Sequence, residues 1–344
     1  MASPNWRPHD VAPDIVSLPD HPAVTWRAAS PTDLDGILDL YREISRVDHP
    51  NHVTTRSGLS ALFDLSYFDA ESDSLVGSDG DGRIIAVGMV LLPTAYTTLA
   101  RSIIVGGVHP DYRLRGIGRE LLSWQLARAR QQLSTVVEDV PRRIIAFTDE
   151  RAELTGRAYQ RVGLGLHRYF SVLERAVGDP IEPVELDEGI RLIPYSPALS
   201  SAVHRARDEA FLDNWGSQPM SDEAWDGFVG RETFRPELSF AAVVPGKRGN
   251  DEVVGFILGT ANKADWENQG FSSSYVSMVG VTAPWRGRRI AKALLAAHLQ
   301  AARHAGYERV TLDVDSDSKT GALNLYTGIG FSRTHQKLCF ALDL

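Results

Sequence analysis

Apolar and polar residues follow one plan twice along this chain of 344 residues. In each half, a strand-like apolar run leads into a loop rich in arginine and glycine, and a helical pattern follows. The second helix places apolar residues on one face, at Ala291, Leu294, Leu295, His298, Leu299 and Ala302. On that face His298 is expected to be a packed core residue rather than a ligand. A further strand and a short helix ending in Tyr-x-x-x-Gly-hydrophobic complete each half, at Tyr159–Leu164 and Tyr326–Phe331.

The two copies lie at one constant interval. Val281 follows Val108 by 173 positions, and Arg286 follows Arg113 by the same 173. An interval this long indicates duplicated domains rather than a solenoid of short repeats. The chain length agrees, because single domains seldom exceed about 250 residues.

The period breaks at a turn-rich polar stretch, residues 178–183, which is typical of a linker. We expect residues 1–22 to form a tail, 23–177 the N-terminal domain, 178–189 the linker and 190–344 the C-terminal domain. Since strands alternate with helices in both halves, the fold class expected is α/β, with a mixed (α+β) sheet in each domain.

Composition narrows the classes of function. A formal net charge of -8 disfavours a nucleic-acid binder, although a local basic pocket remains compatible with it. We expect no association with a membrane, because no window approaches the ~18 apolar residues that span one. The first 20 residues lack the apolar core of a secretion signal. The one cysteine, Cys339, cannot form an intramolecular disulfide and is expected to pack in a strand, which fits a cytoplasmic location.

The loop between strand and helix predicts an anion-binding site in each half. Backbone N–H groups in the first turn of a helix have no intrahelical partner, and the helix dipole favours negative charge there. Cationic side chains add to this at Arg113, Arg115 and Arg119, and at Arg286, Arg288, Arg289 and Lys292. The loops lack both the Walker ending and the dinucleotide-binding glycine pattern. From the residues alone, a basic helix start whose glycines only serve a turn is the alternative.

These loops resemble the signature of the GCN5-related N-acetyltransferases (GNAT), Arg/Gln-x-x-Gly-x-Gly/Ala. Residues 113–118 match it in full, and residues 286–291 match except that Arg289 replaces the central glycine. The resemblance implies that each loop binds the diphosphate of acetyl-CoA through backbone amides, and that the preceding strand pairs with the pantetheine arm. The binding residues it implies are Val108, Arg113, Leu114, Arg115, Gly116, Ile117 and Gly118, and Val279, Gly280, Val281, Arg286, Gly287, Arg288, Arg289, Ile290 and Ala291.

A second signature lies in the C-terminal half. Residues 315–326 resemble the segment before the catalytic tyrosine of the family, so Tyr326 is expected to protonate the departing CoA thiolate. The counterpart that ends at Tyr159 is a looser match. The family often has a glutamate on its fourth strand, where this chain has Ser102 and Tyr275; Asp265 and Glu267, acting through water, are candidates for the general base.

The tandem layout is similar to that of mycothiol synthase and related actinobacterial acetyltransferases. It implies an acyl-CoA-dependent N-acyltransferase that moves acetyl directly to an amine in a ternary complex, without a metal, in the C-terminal domain. A small-molecule amine is favoured over a protein as acceptor; a small amine, an aminoglycoside-like antibiotic, a cysteinyl pseudodisaccharide and a protein N-terminus all stay open. The alternatives are a catalytically dead CoA-binding sensor or scaffold, and a structural protein that keeps only the fold.

Overall fold

The computed structural model describes residues 16–48, 53–246, 250–318 and 321–344. Most of the expected tail lies outside these ranges, as do Lys319 and Thr320 of the segment before Tyr326. The chain divides into two compact units. The first runs up to Arg168 and also includes Lys337–Leu344, and the second is Tyr169–Gln336.

The first unit is a mixed sheet with helices on both faces. Its elements are β1 (Thr25–Arg27), α1 (Leu34–Asp48), α2 (Arg56–Phe63), α3 (Ala70–Asp73), β2 (Ser74–Ser78), β3 (Ile84–Leu91), β4 (Ala100–Val108), α4 (Ile117–Ser134), β5 (Arg142–Asp149) and α5 (Glu153–Arg161). Strands β1 to β4 pair antiparallel in chain order, whereas β4 and β5 are parallel.

The second unit repeats this plan. Its elements are β6 (Gly165–Ala176), which begins just before the unit does, β7 (Arg191–Pro194), α6 (Ser200–Ala210), α7 (Asp222–Gly230), β8 (Phe234–Pro245), β9 (Asp251–Thr260), α8 (Trp266–Gln269), β10 (Ser273–Val281), α9 (Ile290–His304), β11 (Arg309–Asp315), α10 (Ala322–Gly328) and β12 (Ser332–Asp343). The strand order is β7-β8-β9-β10-β11-β6. Among the described strands of this unit, only β10 and β11 pair in parallel.

The last strand of each sequence repeat pairs outside its own repeat. In the first unit, the end of β12 pairs antiparallel with β5, with Cys339 opposite Phe147. In the second unit, β6 pairs antiparallel with β11, with Leu173 opposite Leu312. The expected domains 23–177 and 190–344, joined by a linker at 178–189, therefore differ from the compact units. A period in sequence records which segments are duplicated, whereas compactness depends on which strand covers each open sheet edge.

Each sheet buries apolar side chains on both faces. In the second unit, α9 packs Leu294 and Leu299 against one face, and α6 and α7 cover the other. His298 on α9 is fully buried; its Nδ1 lies 2.7 Å from the Leu238 carbonyl, and burial lowers its pKa to about 4. Cys339 is also fully buried, and burial raises the pKa of its thiol to about 11. Both side chains pack in the interior, as expected.

No helix in the described ranges is long and apolar enough to cross a membrane.

Replacing Phe340 by alanine tests where the end of β12 belongs. Phe340 is buried in the first unit, and its ring centroid lies 5.5 Å from that of Tyr159. We expect Phe340→Ala to cost about 3–5 kcal/mol of stability and to speed hydrogen exchange in β5. As a matched control, Phe331→Ala in the second unit should act on α10 and β11 instead. Loss of protection in β11, with β5 unchanged, in the Phe340 variant would contradict this pairing.

Candidate active site

A gap opens in each sheet where its two parallel strands diverge. In the second unit, β10 and β11 pair only from Ser273 opposite Arg309 to Tyr275 opposite Thr311. Both strands then continue, β10 to Val281 and β11 to Asp315. In the first unit, the pairing of β4 with β5 ends at Ile103 opposite Ile145. Each gap therefore lies just before the loop that carries the predicted anion site.

Backbone amides on the diverging strand face this gap. The Thr282 amide donates to the Val254 carbonyl at 3.0 Å, toward β9. Because successive amides of a strand point to alternate edges, the amides of Val281 and Val279 face the gap. The first unit has the same arrangement. The His109 amide donates to the Ile85 carbonyl of β3 at 2.8 Å, so the Val108 amide faces the β4–β5 gap. An extended ligand in the gap would find donors there.

The two anion loops share one backbone shape. Each needs two residues in the left-handed region, Leu114 (φ 62) and Gly116 (φ 96) in the first, and Gly287 (φ 80) and Arg289 (φ 63) in the second. The glycine stands at a different one of the two positions in each copy. Arg289 therefore takes the conformation of the glycine that it replaces, at a cost of roughly 1–3 kcal/mol, and the amide cradle expected from the signature keeps its shape.

Both helices that follow begin without a capping side chain. Gly116 is the N-cap of α4, Arg289 is the N-cap of α9, and neither end has a side-chain cap hydrogen bond. First-turn amides at such an end are suited to an anion, and the helix dipole adds to the attraction.

The first arginine of each signature is engaged by the protein itself. Arg113 donates through Nε to the Val108 carbonyl at 3.1 Å and through both terminal nitrogens to Asp48 at 2.8 and 2.6 Å. Arg286 donates through Nε to the Val281 carbonyl at 3.2 Å, through Nη1 to Asp213 at 2.8 Å and through Nη2 to the Ala210 carbonyl at 3.0 Å. Each arginine thus holds its loop against the strand end and the preceding helix. A direct contact of these two side chains with the diphosphate stays a prediction.

Part of the expected tail contacts the first loop. The Nε2 atom of His21 lies 3.0 Å from the Arg115 carbonyl oxygen. A Cβ added at Gly116 would lie 3.7 Å from the same nitrogen. Arg115 itself donates to the Asp111 carbonyl and lies 5.1 Å from the centre of the Tyr112 ring. The sequence pattern gave no signal for His21, because the contact spans 94 residues.

A β-bulge distinguishes β10 from β4. The pairing of β10 with β9 shifts register between Val276 and Met278, whereas β4 pairs with β3 in one continuous register from Ile103 to Val108. A bulge bends the strand and re-aims its neighbouring groups, and bulges are common beside active sites.

The two tyrosines of the repeated short helices are both buried. Tyr326, on α10, packs edge-on against Phe331 with ring centroids 6.1 Å apart, and burial raises its pKa to about 12. Tyr159, on α5, packs against Phe340, and burial raises its pKa further. Tyr326 also lies close enough to Tyr275 to raise the pKa of that residue.

Tyr275 and Asp313 form a hydrogen-bonded pair that sequence analysis missed. They lie on β10 and β11, where the strands begin to diverge. The Tyr275 hydroxyl donates a hydrogen bond to the Asp313 carboxylate. Burial first, and Asp313 second, hold the pKa of Tyr275 well above its usual value. The earlier candidates, Asp265 and Glu267, lie before the first residue of β10, at the end of that strand remote from Val281.

The first unit has no comparable pair at these positions. Strand register places Ser102 where β10 has Tyr275, and places Ala146 where β11 has Asp313. Ser102 is buried and donates to Gln132 at 2.9 Å, and Ala146 is fully buried. At these two strand positions, therefore, only the second unit has side chains that can act as an acid and a base.

A buried carboxylate connects α1, the anion loop and α5 in the first unit. Asp48, at the end of α1, accepts from Arg113 and, at 3.5 Å, from Thr155 on α5. Its side chain is 6% exposed, whereas Asp213, the partner of Arg286, is 65% exposed. Exposed pairs contribute little to stability, whereas breaking a buried pair is costly. The loop of the first unit is therefore held more firmly than that of the second.

Comparisons with known proteins agree with this architecture. The model of the acetyltransferase (GNAT) family matches residues 201–331. A mycothiol acetyltransferase of Thermobispora bispora is 29% identical over 66% of this chain and 71% of its own length. An N-alpha-acetyltransferase, MAK3, of Arabidopsis thaliana is 34% identical over 46% of this chain and 75% of its own length.

Solved structures extend the similarity to nearly the whole chain. A GCN5-related N-acetyltransferase from Sphaerobacter thermophilus superposes with a TM-score of 0.70 at 25% identity, covering 95% of this chain and 97% of that protein. A tandem GNAT protein from the clavulanic acid biosynthesis pathway shares the fold, with a TM-score of 0.65 at 15% identity over 93% and 98% of the two chains. The expected fold class, α/β with mixed sheets and two tandem folds, is confirmed.

The strained loop residue offers a direct test of the loop geometry. Arg289→Gly removes the left-handed strain at φ 63 and, after the entropy cost of glycine is subtracted, should raise the free energy of unfolding by about 1 kcal/mol. Gly287→Ala, with φ 80 and open space around the added Cβ, should lower it by a similar amount. Chemical denaturation measures both. Destabilisation by Arg289→Gly would show that the arginine side chain contributes more than its backbone strain costs.

Proposed function

The chain belongs to the GNAT family of N-acetyltransferases, and we propose that its second unit transfers acetyl from acetyl-CoA to a small-molecule amine. The observation that carries the proposal is the Tyr275–Asp313 pair at the mouth of the β10–β11 gap, with Tyr326 close by. The bulge in β10 supports the same choice of unit. The family uses acetyl-CoA or another acyl-CoA as donor, and both anion loops suit its diphosphate.

The donor would lie along the gap of the second unit. Its diphosphate would meet the amides at the start of α9, and its pantetheine amides would pair with those of β10 that face the gap. The Val279 or Val281 amide would then donate to the thioester oxygen as negative charge develops on it. Holding the thioester beside the amine supplies the proximity that direct transfer needs.

Tyr275, Asp313 and Tyr326 would move the protons of the transfer. The amine nitrogen attacks the thioester carbon, so a C–N bond forms while the C–S bond breaks. The amine proton passes to the Tyr275 oxygen as the Tyr275 proton passes to Asp313, which leaves Asp313 neutral until solvent takes the proton. Tyr326 protonates the CoA thiolate and then regains a proton from solvent. Burial, which raises the pKa of Tyr326 to about 12, also raises the basicity of a thiolate released beside it.

The first unit would be mainly a structural partner. It keeps the loop shape, but its buried Asp48 joins α1, the loop and α5. Ser102 and Ala146 provide no acid or base where Tyr275 and Asp313 lie in the second unit. CoA binding by this unit remains compatible with its loop.

The acceptor is proposed by class only. Among the relatives, one is named as a mycothiol acetyltransferase and another as an N-alpha-acetyltransferase. The former is named for a small thiol, and its similarity covers more of this chain, which favours a small-molecule amine over a protein. An acceptor screen with acetyl-CoA, read by mass spectrometry, identifies the amine. CoA binding without turnover of any amine would favour the alternative, a dead CoA-binding sensor or scaffold.

Removing a single hydroxyl tests the general acid. Tyr326→Phe keeps the ring packing and should lower kcat by on the order of 10²–10⁴. Tyr159→Phe, the matched control in the first unit, should leave kcat within a few-fold. Because the pKa of Tyr326 is about 12, its protonated form persists through neutral and mildly alkaline pH. The rate should therefore show no loss due to deprotonation of Tyr326 across neutral and mildly alkaline pH. An inactive Tyr159→Phe with a near-normal Tyr326→Phe would move the chemistry to the first unit.

The proton acceptor has its own test. Asp313→Asn keeps the shape and a hydrogen-bonding group beside Tyr275 but removes the negative charge. We expect kcat/KM to fall by on the order of 10²–10³, with the dissociation constant of CoA unchanged. Asp265→Asn is the control and should retain activity. Normal turnover by Asp313→Asn, or loss confined to Asp265→Asn, would contradict the role of the pair.

A further inference from the structure

Arg175 is a charged residue on the core-facing side of β6. It alternates with Leu173 and Val177, both of which belong to the buried core beneath α9 and α10. Only 5% of Arg175 is exposed. A guanidinium in such a place needs acceptors for its five N–H groups and a nearby negative charge.

The protein satisfies only part of this need. Nη2 of Arg175 donates to the Pro180 carbonyl at 2.6 Å. Nε and Nη1 are buried and have no hydrogen-bond acceptor among the described residues. Burial lowers the pKa of Arg175, and nearby Arg303 lowers it further, whereas Asp179 raises it. Asp179 is exposed to solvent, so its charge compensates only weakly.

A cavity of about 290 Å³ lies beside this guanidinium, wholly within the second unit. The cavity is bordered by polar groups from β6, the following segment and α9, and by apolar side chains, including Arg175, Asp179, Glu182, Lys292, Leu299 and Ile329. Lys292 lies in the first turn of α9 and pairs at 3.3 Å with Glu182, which is 81% exposed. Gly330 keeps the space beside Arg175 open, because a Cβ there would lie 3.0 Å from Nε.

We propose that this cavity binds a small organic anion, a carboxylate or phosphate with a short apolar body, on the Arg175 guanidinium. An oxyanion supplies the hydrogen-bond acceptor and the negative charge that the guanidinium lacks. Charge-assisted hydrogen bonds of this kind are strong. Leu299 and Ile329 would cover the apolar part of the ligand. The site is separate from the β10–β11 gap and does not depend on the proposed catalytic mechanism.

Thermal unfolding and calorimetry with defined anions test the site. Saturating CoA is present throughout, so that the diphosphate loops are occupied. Phosphate, acetate and butyrate are then titrated at constant ionic strength. We expect a saturable rise in Tm, with butyrate binding more tightly than acetate because of the apolar wall; a larger response to phosphate would identify a phosphate-bearing ligand instead.

Two variants separate Arg175 from the rest of the surface. Arg175→Met should abolish the response and should unfold, without added anion, at the same or a higher temperature, because removing a buried and incompletely paired charge relieves its desolvation cost. Arg333→Met, at an exposed position in the same unit, should respond like the wild type. A wild-type response in Arg175→Met, or no saturable response to any of the three anions, would overturn the proposal.

Diffraction gives an independent readout. Crystals soaked in bromide should show an anomalous peak beside Nε or Nη1 of Arg175, and the peak should be absent in Arg175→Met. Ordered water at both nitrogens, with no anomalous peak, would mean that water alone satisfies the guanidinium and would also overturn the proposal.

Discussion

Strand β10 leaves β11 after Tyr275, and the site depends on this divergence. Backbone amides away from water need acceptors, and the amides of β10 that face the gap can find them on an extended, amide-containing ligand. The same strand ends at the anion loop, which Arg286 ties to the Val281 carbonyl. One ligand can thus meet strand amides and helix amides in sequence. Tyr275 is the last residue of β10 that pairs with β11, and Asp313 lies two residues beyond its partner Thr311, so both lie at the mouth of the gap.

Duplication has preserved backbone shape more closely than chemistry. Both loops use two left-handed residues, although the glycine has changed place between them. Around this common shape the side chains differ: the first unit has a buried carboxylate that joins three elements, and the second has a bulged strand and a titratable pair. The common backbone shape thus tolerates different side chains around the loop in the two units.

Local features of this site were predictable from the sequence, and contacts across the fold were not. Each anion loop is a continuous stretch, so its strand, its glycines and the start of its helix could be recognised together. Arg113 finds Asp48 across 65 residues, and no local pattern indicates that partner. The Tyr275–Asp313 pair depends on the register of two strands, which alternation alone leaves open. The pairing of β12 with β5 could not be predicted for a related reason. The repeat shows which segments are duplicated but not which sheet edge each strand covers.

The central claim is that the donor occupies the gap of the second unit, and hydrogen exchange with and without acetyl-CoA tests it most directly. The account predicts slower exchange in the second half of β10, at Val279 and Val281, and in residues 287–291 at the start of α9. A weaker effect at residues 114–118 is compatible with a second bound CoA. Protection confined to β4 and residues 114–118, with β10 and α9 unchanged, would contradict the account.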